Sequence, residues 1–363
     1  MNVSRHAVLP YNPGMERGTP EKMRGAVLTG PRRIRVVSMP VPVPRRGEVL
    51  VRVRAVGICR SDIHYYLDGR IGNQVIRKWP QALGHEASGE AWKIGPGVRG
   101  FRVGDRVAIE PASPCGHCRH CREGRGNICP RTGFLGMPGQ AGALAEFLAV
   151  RSGGLVKLPR GISFEEGVAL EPMAIGMHAV ALTRAGIREA AVVGAGPIGL
   201  SVLAALGSRR ARTTAFDYLP CRLRVARRIG ADSVVRVPRG VKMGHVAGRA
   251  GRKWDFVFEA GGTEEAIDLA LELASPGGTV ALIGINRGLQ TGINLHTARR
   301  KELVLLNVRR SNDELGECVR LLGRGKLRLK ETISHIGRLK DADRFFRLVS
   351  GYRDGVVKAV ITP

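Results

Sequence analysis

The chain is short of several things. Only 5% of its residues are aromatic, acidic residues number 31 against 58 lysines and arginines, and eleven of those 58 cations are lysines. No run approaches the roughly 18 consecutive apolar residues that a membrane-spanning helix needs, which excludes a helical membrane protein. The first 22 residues, MNVSRHAVLPYNPGMERGTPEK, hold no apolar core of signal-peptide length, and so are expected to be a loose extension. The first strand-like run starts at Met23, an alternative start for the chain. Without an export signal the expected compartment is the reducing cytoplasm, where clustered cysteines bind metal more often than they form disulfides. No internal repeat is present, and no low-complexity segment apart from PVPVPRR at 40–46.

The scarcity of aromatics bears on the charge. A formal net charge of +27 makes nucleic acid or an anionic surface a candidate partner. Yet the arginines run from Arg5 to Arg353 with no dominant block and no interleaved aromatics, a pattern that fits compositional bias better than a nucleic-acid footprint. The remaining composition, 44% hydrophobic and 25% charged over 363 residues, is that of a folded protein with room for two or three cores.

What is present is concentrated chemistry. In PCGHCRHCREGRGNICP, Cys115, Cys118, Cys121 and Cys129 follow the spacing C-x2-C-x2-C-x7-C, with Gly116, Gly124 and Gly126 to supply tight turns. Four thiolates close a tetrahedral sphere and leave no open position, the mark of a structural zinc. An iron–sulfur cluster is the competing metal; the seven residues before the last cysteine and the want of a second cysteine cluster count against it.

The pattern of the chain changes part-way. From Met23 to about Val150 the apolar runs are short and broken by Gly and Pro, as in RIRVVSM, EVLVRVRAVG and DRVAIEP, the signature of a β-rich unit. From about Gly186 longer strands and helices alternate: AAVVGAG, PIGLSVLAALG, TTAFD, CRLRVARRIGAD, DFVFEAGG, EEAIDLALELA, GTVALIGI. That alternation predicts a doubly wound parallel sheet, and hence an α/β protein. Within it Gly194, Gly196 and Gly199, with Pro197 and Ile198 between them, lie between a strand and a helix, and Asp217 ends the next strand. This is the dinucleotide fingerprint, with the pyrophosphate on the helix N-terminus and the acid on the ribose. Asp217 favours NAD, and Arg222 close by keeps NADP open.

A second metal set is more dispersed. Cys59, His85 and Glu86 lie in the polar loops GICRSDIHYY and LGHEASGE, and a Cys/His/carboxylate set with one position left to water is a catalytic zinc pattern. Taken alone, a cysteine and a His-Glu pair 26 residues apart are weak evidence, and a buried cysteine with a satisfied histidine explains them better. In combination the segments GICRSDIHYYLDGRIG, LGHEASGE, GDRVAIEPASPCGHCRHCREGRGNIC, LEPMAIGMHA and VVGAGPIGL resemble, in that order, the zinc-containing medium-chain dehydrogenases. Within that family the chain is most similar to the polyol branch, the sorbitol and xylitol dehydrogenases, through HYYLDGRIG and the pair Glu171-Pro172.

The resemblance implies a GroES-like catalytic domain over 23–175 with its zinc lobe at 115–129. A Rossmann NAD domain over 176–310 and a segment 311–363 returning to the first domain complete the expected division. It implies one catalytic zinc on Cys59, His85 and Glu86, with Glu171 reaching it directly or through water, and one structural zinc on the four clustered cysteines. Asp62 is implied as the partner orienting a zinc-bound histidine, and Ser61 and His64 as the proton relay. Tyr65 and Arg309 are implied to hold substrate hydroxyls. Arg60 departs from the branch, which usually carries glycine there; in simple alcohol dehydrogenases an arginine at this place binds the coenzyme pyrophosphate. The implied reaction is hydride transfer from a secondary alcohol of a polyol to NAD, with zinc as Lewis acid, by a homodimer or homotetramer in the cytoplasm. Sister activities on a vicinal diol, threonine or a cyclitol share the fold, and a basic zinc-containing nucleic-acid binder is the reading from another class. His117 and His120 sit among thiolates that already fill a site. His178, His245, His296 and His335 show no partner pattern in sequence.

Overall fold

The computed structural model describes residues 18–363; the first seventeen positions of the expected extension lie outside the described residues. Strand Lys22–Gly30 pairs antiparallel with Arg33–Pro40. The sheet that carries the chemistry is centred on Glu48–Gly57, whose valines at 49, 51 and 53 are buried. This strand is flanked by Glu86–Ile94 and Phe147–Arg151, both antiparallel to it. Its C-terminal end pairs with Lys358–Thr362, which in turn lies parallel to Ile333–Arg338. The last residues of the chain therefore complete a sheet begun by the first hundred.

The second sheet has six parallel strands in the order Ser233–Arg236, Arg212–Asp217, Glu189–Val193, Trp254–Glu259, Ala274–Leu282, Val304–Asn307. The fold is thus the expected α/β pairing of a β-rich unit with a doubly wound sheet. The inner strands are buried on both faces and read as apolar runs. The two outermost, SVVR and VLLN, are short and half exposed, so their pattern in sequence is too weak to mark them as strands.

Three helices position the site. Helix α1, Arg60–Asp68, follows the central strand of the first sheet and ends at Gly69, whose φ of 65° supplies a left-handed cap. Helix α2, Leu170–Leu182, runs through residue 175, so one rigid element carries Glu171 at its first turn and packs its body on the second sheet's layer. It lies against α3, Pro197–Ser208, and the approach is close enough that a Cβ at Gly176 would come within 2.5 Å of the Ser201 backbone. One core cluster joins α2 and α3 to the parallel sheet, and another fills the β-rich unit.

Candidate catalytic and coenzyme site

The end of strand Glu48–Gly57 and the start of Glu86–Ile94 meet at paired residues Gly57 and Glu86. This pairing brings Cys59, just beyond the first strand, to His85 and Glu86, and the donor atoms of all three lie within 4.8 Å of one another. Gly57 has to be glycine, because a Cβ there would overlap Glu86 Oε2. His85 is held from behind by Asp62, whose Oδ1 lies 3.5 Å from Nδ1, leaving Nε2 for a metal. Asp62 is itself fixed by the amides of Cys59 and Gly84, which donate to its two oxygens at 3.0 and 3.2 Å. Burial works against a charged His85, yet the Asp62 carboxylate and the Cys59 sulfur hold its pKa well above the ordinary value. An anion-rich pocket that recruits a proton in this way also suits a divalent cation.

Glu171 stands outside the converging triad but close to it. It is 4% exposed, and its Oε2 is buried without a hydrogen-bond partner. Burial, helped by Glu86 and Glu110 against the pull of His85, pushes its carboxyl up to about 8. An orphaned buried oxygen beside a Cys/His/carboxylate triad fits a group that reaches a metal through water. On α1, Ser61 and His64 lie one turn apart on the same face. His64 is buried, with Nε2 unpartnered, and desolvation together with Arg60 lowers its pKa to about 4. Tyr65 is buried and donates its hydroxyl to Gln74 Oε1 at 3.2 Å.

The coenzyme cradle lies at the carboxyl ends of the parallel strands, between the first and fourth in chain order, where doubly wound sheets open a crevice. Gly194 has a φ of 91°, and a Cβ at Gly199 would overlap the Gly194 carbonyl, so both glycines are demanded by the turn. Gly196 caps α3, with Pro197 as its first residue and Ile198 next. A Cβ at Gly196 would meet only the tip of Arg222, at 3.4 Å. Space at that glycine is what an approaching pyrophosphate needs. Asp217 ends its strand, is 4% exposed, and accepts from the amides of Ala195 and Leu219 at 2.8 and 2.7 Å. Arg222 Nη1 stands 3.8 Å from it. Arg60 and Arg222 each place a guanidinium 4.9 Å from the ring of Tyr352, so a tyrosine near the C-terminus bridges α1 and the adenosine side of the cradle.

Two family models match this chain, the alcohol dehydrogenase GroES-like domain over residues 45–160 and the zinc-binding dehydrogenase model over 197–324. The chain belongs to the zinc-containing medium-chain dehydrogenases. It is 32% identical to a sorbitol dehydrogenase of Bacillus subtilis across 96% of this chain and 99% of the relative. It is 35% identical to a D-xylulose reductase of Saccharomyces cerevisiae, across 92% and 96%. Among solved structures it superimposes on galactitol-1-phosphate dehydrogenase of Escherichia coli with a TM-score of 0.84 at 27% identity, covering 94% of this chain and all of that one. As a member of the family it is an NAD- and zinc-dependent oxidoreductase that acts on alcohols. Nothing in the fold or the relatives supports the nucleic-acid reading, which leaves the catalytic residues without a role.

The family's second metal lobe has the geometry its spacing predicts. Sulfur–sulfur distances are 3.5 Å for Cys118–Cys121, 3.8 Å for Cys118–Cys129 and 4.0 Å for Cys115–Cys121. Four sulfurs about 2.3 Å from a tetrahedral zinc lie about 3.8 Å apart, so the cage fits that ion. The amide of His117 helps pull the Cys115 thiol down to about 5, while burial and Cys118 push Cys121 up to about 11, so the protons are shared unevenly among sulfurs that a metal would bind as thiolates.

Several residues of this site escaped the sequence reading. Lys358, 2% exposed, sets its ammonium 2.7 and 2.6 Å from the two oxygens of Glu86. Glu259, 1% exposed, gathers the amides of Gly261 and Gly262 at the mouth of the cradle. His178 is not solitary: Glu314 Oε1 lies 2.8 Å from its Nδ1. A charged residue inside an apolar run, as Lys358 is in GVVKAVIT, was the one available signal, and sequence could not name its partner.

Proposed function

We propose that the protein oxidises a secondary hydroxyl of a polyhydroxylated substrate to a ketone, with NAD as hydride acceptor. The observation that carries this is the buried pair of carboxylates, Glu86 and Glu171, beside Cys59 and His85, a donor set richer in oxygen than simple alcohols call for. The relatives named for sorbitol and D-xylulose support the substrate class.

In this reading Cys59, His85 and Glu86 would hold the catalytic zinc and Cys115, Cys118, Cys121 and Cys129 the structural one. The catalytic ion supplies Lewis acidity that makes a substrate hydroxyl easier to deprotonate. The chain's own residues do the rest. Asp62 fixes the ring of His85, and Lys358 holds the carboxylate of Glu86. Ser61 and His64 pass the released proton outward; with its pKa near 4, His64 is neutral at physiological pH and a weak base, so it relays the proton transiently and does not hold it. Tyr65, fixed by Gln74, offers its phenol to substrate oxygens. Gly194, Gly196, Pro197, Ile198 and Gly199 seat the pyrophosphate, Arg60 and Arg222 add positive charge, and Asp217 takes the ribose.

The catalytic unit would span 23–175 and the coenzyme unit 176–310, with 311–363 returning to the first. Among the described residues no helix is long and apolar enough to cross a membrane, and the reading places the enzyme in the cytoplasm. It would work as a homodimer or homotetramer. The outermost strand Val304–Asn307 leaves a backbone edge open, and Ile285, Leu289, Leu295 and Val304 nearby in sequence are 50–68% exposed. The deciding experiment is NAD reduction by the zinc-loaded protein across sorbitol, xylitol, inositol, 2,3-butanediol, threonine and ethanol. Chelator-sensitive turnover of a polyol is expected; turnover confined to ethanol or threonine would overturn the reading.

A further inference from the structure

After strand Val304–Asn307 the chain runs Val308-Arg309-Arg310-Ser311-Asn312, and each end of this stretch is tied down. Asn127 Nδ2 donates to the Arg309 carbonyl at 2.9 Å, Ser311 Oγ to Glu110 Oε2 at 3.1 Å, and Asn312 Nδ2 to the Gly124 carbonyl at 2.8 Å. Arg310 itself has a φ of 55°, an uncommon conformation for a long side chain, which persists only where the surroundings impose it. The two arginines so presented line a cavity of about 360 Å³ with Gln74, Ile128, Cys129, Pro130, Thr132 and Met137, so one wall is the edge of the cysteine lobe. Two contacts tie its walls to the candidate catalytic residues: Gln74 holds the Tyr65 hydroxyl, and the Arg310 guanidinium lies 4.0 Å from the ring of Phe134, which packs 5.1 Å from His85.

Neither guanidinium in this cavity has a carboxylate partner among the described residues. Arg310 Nη1 is buried with no hydrogen-bond partner, and Nη2 reaches only the Met137 sulfur, at 3.5 Å. Among the described residues no carboxylate lies within 4.0 Å of either guanidinium. Burial, with Arg309 beside it, brings Arg310 down to about 10, while Glu171 and Glu110 oppose this from further off; it stays a cation at neutral pH. An aromatic face and a thioether are weak partners for a desolvated cation, and a neutral hydroxyl leaves its charge unmet. A planar guanidinium is matched by two oxygens of a phosphate or a carboxylate.

We propose that this cavity receives an anionic group on the polyol substrate, a phosphate ester or a carboxylate, with Arg310 and Arg309 as its counter-charges. The inference rests on the polyol reading and narrows it to sugar-alcohol phosphates or sugar acids.

The test compares a hexitol, its phosphate ester and the matching hexonate as substrates for the zinc-loaded full chain with NAD, using wild type, Arg310→Gln, Arg310→Lys and Arg309→Gln. One charged substrate should exceed the neutral hexitol in kcat/KM by about tenfold or more, and whether phosphate or carboxylate wins identifies the group. Arg310→Gln should collapse that ratio through KM, Arg310→Lys should restore part of it, and inorganic phosphate should compete with the charged substrate in wild type. Equal kcat/KM for charged and neutral substrates, or a ratio unmoved in both glutamine variants, overturns the proposal and leaves the polyol reading standing. Failure of the polyol reading itself would show as no NADH from any of the three. Calorimetric titration with inorganic phosphate then decides: binding by wild type that is lost in Arg310→Gln sustains the anion site, and no binding by wild type removes it.

Discussion

Lys358 and Glu86 are 272 residues apart in sequence, yet they form a two-pronged contact at 2.7 and 2.6 Å with both side chains almost fully buried. The pair joins the last strand of the chain to the proposed zinc triad. Glu86 thus has two claims on it, an ammonium on one side and a metal on the other. Lys358→Met should therefore destabilise the metal-free protein by about 3–5 kcal/mol, since it strands a buried carboxylate. In the zinc-loaded protein the loss should be smaller, because the ion neutralises the same group. Denaturant unfolding with and without chelator measures both; equal losses would mean that zinc and Lys358 do not share Glu86.

Cys59→Ala or His85→Ala should abolish turnover while NAD binding, built on the other sheet, persists. Asp62→Asn should keep the metal but bind it about 10–100-fold more weakly, as the loss of an outer-shell partner typically does. Metal analysis and coenzyme fluorescence on the same preparations check this, and turnover by the Cys59 variant would sink the catalytic-zinc assignment.

Cys121→Ala opens the sulfur cage. Zinc content should fall from two to one per chain and the melting temperature should drop. The lobe also holds Arg309 and Asn312 through Asn127 and Gly124, so KM for substrate should rise more than KM for NAD. A variant with wild-type zinc content and melting temperature would refute the structural site.

Asp217→Asn should narrow the preference for NAD over NADP, because the repulsion of a 2′-phosphate is removed while an acceptor for Ala195 or Leu219 remains. Steady-state constants for both coenzymes measure it, and an unchanged ratio would show that discrimination lies elsewhere, with Arg222 the next residue to test.

His64 gives a pH dependence of definite sign. Burial, then Arg60, lowers its pKa from 6.5 to about 4, so between those values the unfolded chain binds more protons than the native one. Stability from this residue is present above pH 6.5 and is lost as pH falls towards 4, by up to roughly 1.4 kcal/mol per pH unit. Unfolding at pH 7 and pH 5 should show a smaller loss for His64→Phe than for wild type. Parallel losses would mean that His64 is not held neutral by the fold.

The cysteine cage and the glycine turn were legible in sequence because their geometry is local. Tight spacing can deliver four sulfurs to one point, and a strand, three glycines and a helix dictate their own phosphate seat. Asp62 was placed by the family resemblance alone; the structure sets it three residues beyond Cys59 on a helix that begins there. For Cys59, His85 and Glu86 a blander reading is the better one until family resemblance joins them. Their convergence needs the pairing of Gly57 with Glu86 across two strands.

Only the tertiary structure could decide the rest. Lys358 in an apolar strand and Arg310 in a run of polar residues carry no mark of their partners. Lys358 meets Glu86 because the chain's end completes a sheet begun near its start. Arg310 lies over Phe134, itself packed on His85, with its backbone held in a left-handed turn between the cysteine lobe and the parallel sheet. Sequence by itself determined the fold class, the glycine turn and the clustering of four cysteines, since each follows from periodicity or short spacing. Which buried charges oppose which, and where one is left without a counter-charge, depends on contacts between residues hundreds of positions apart.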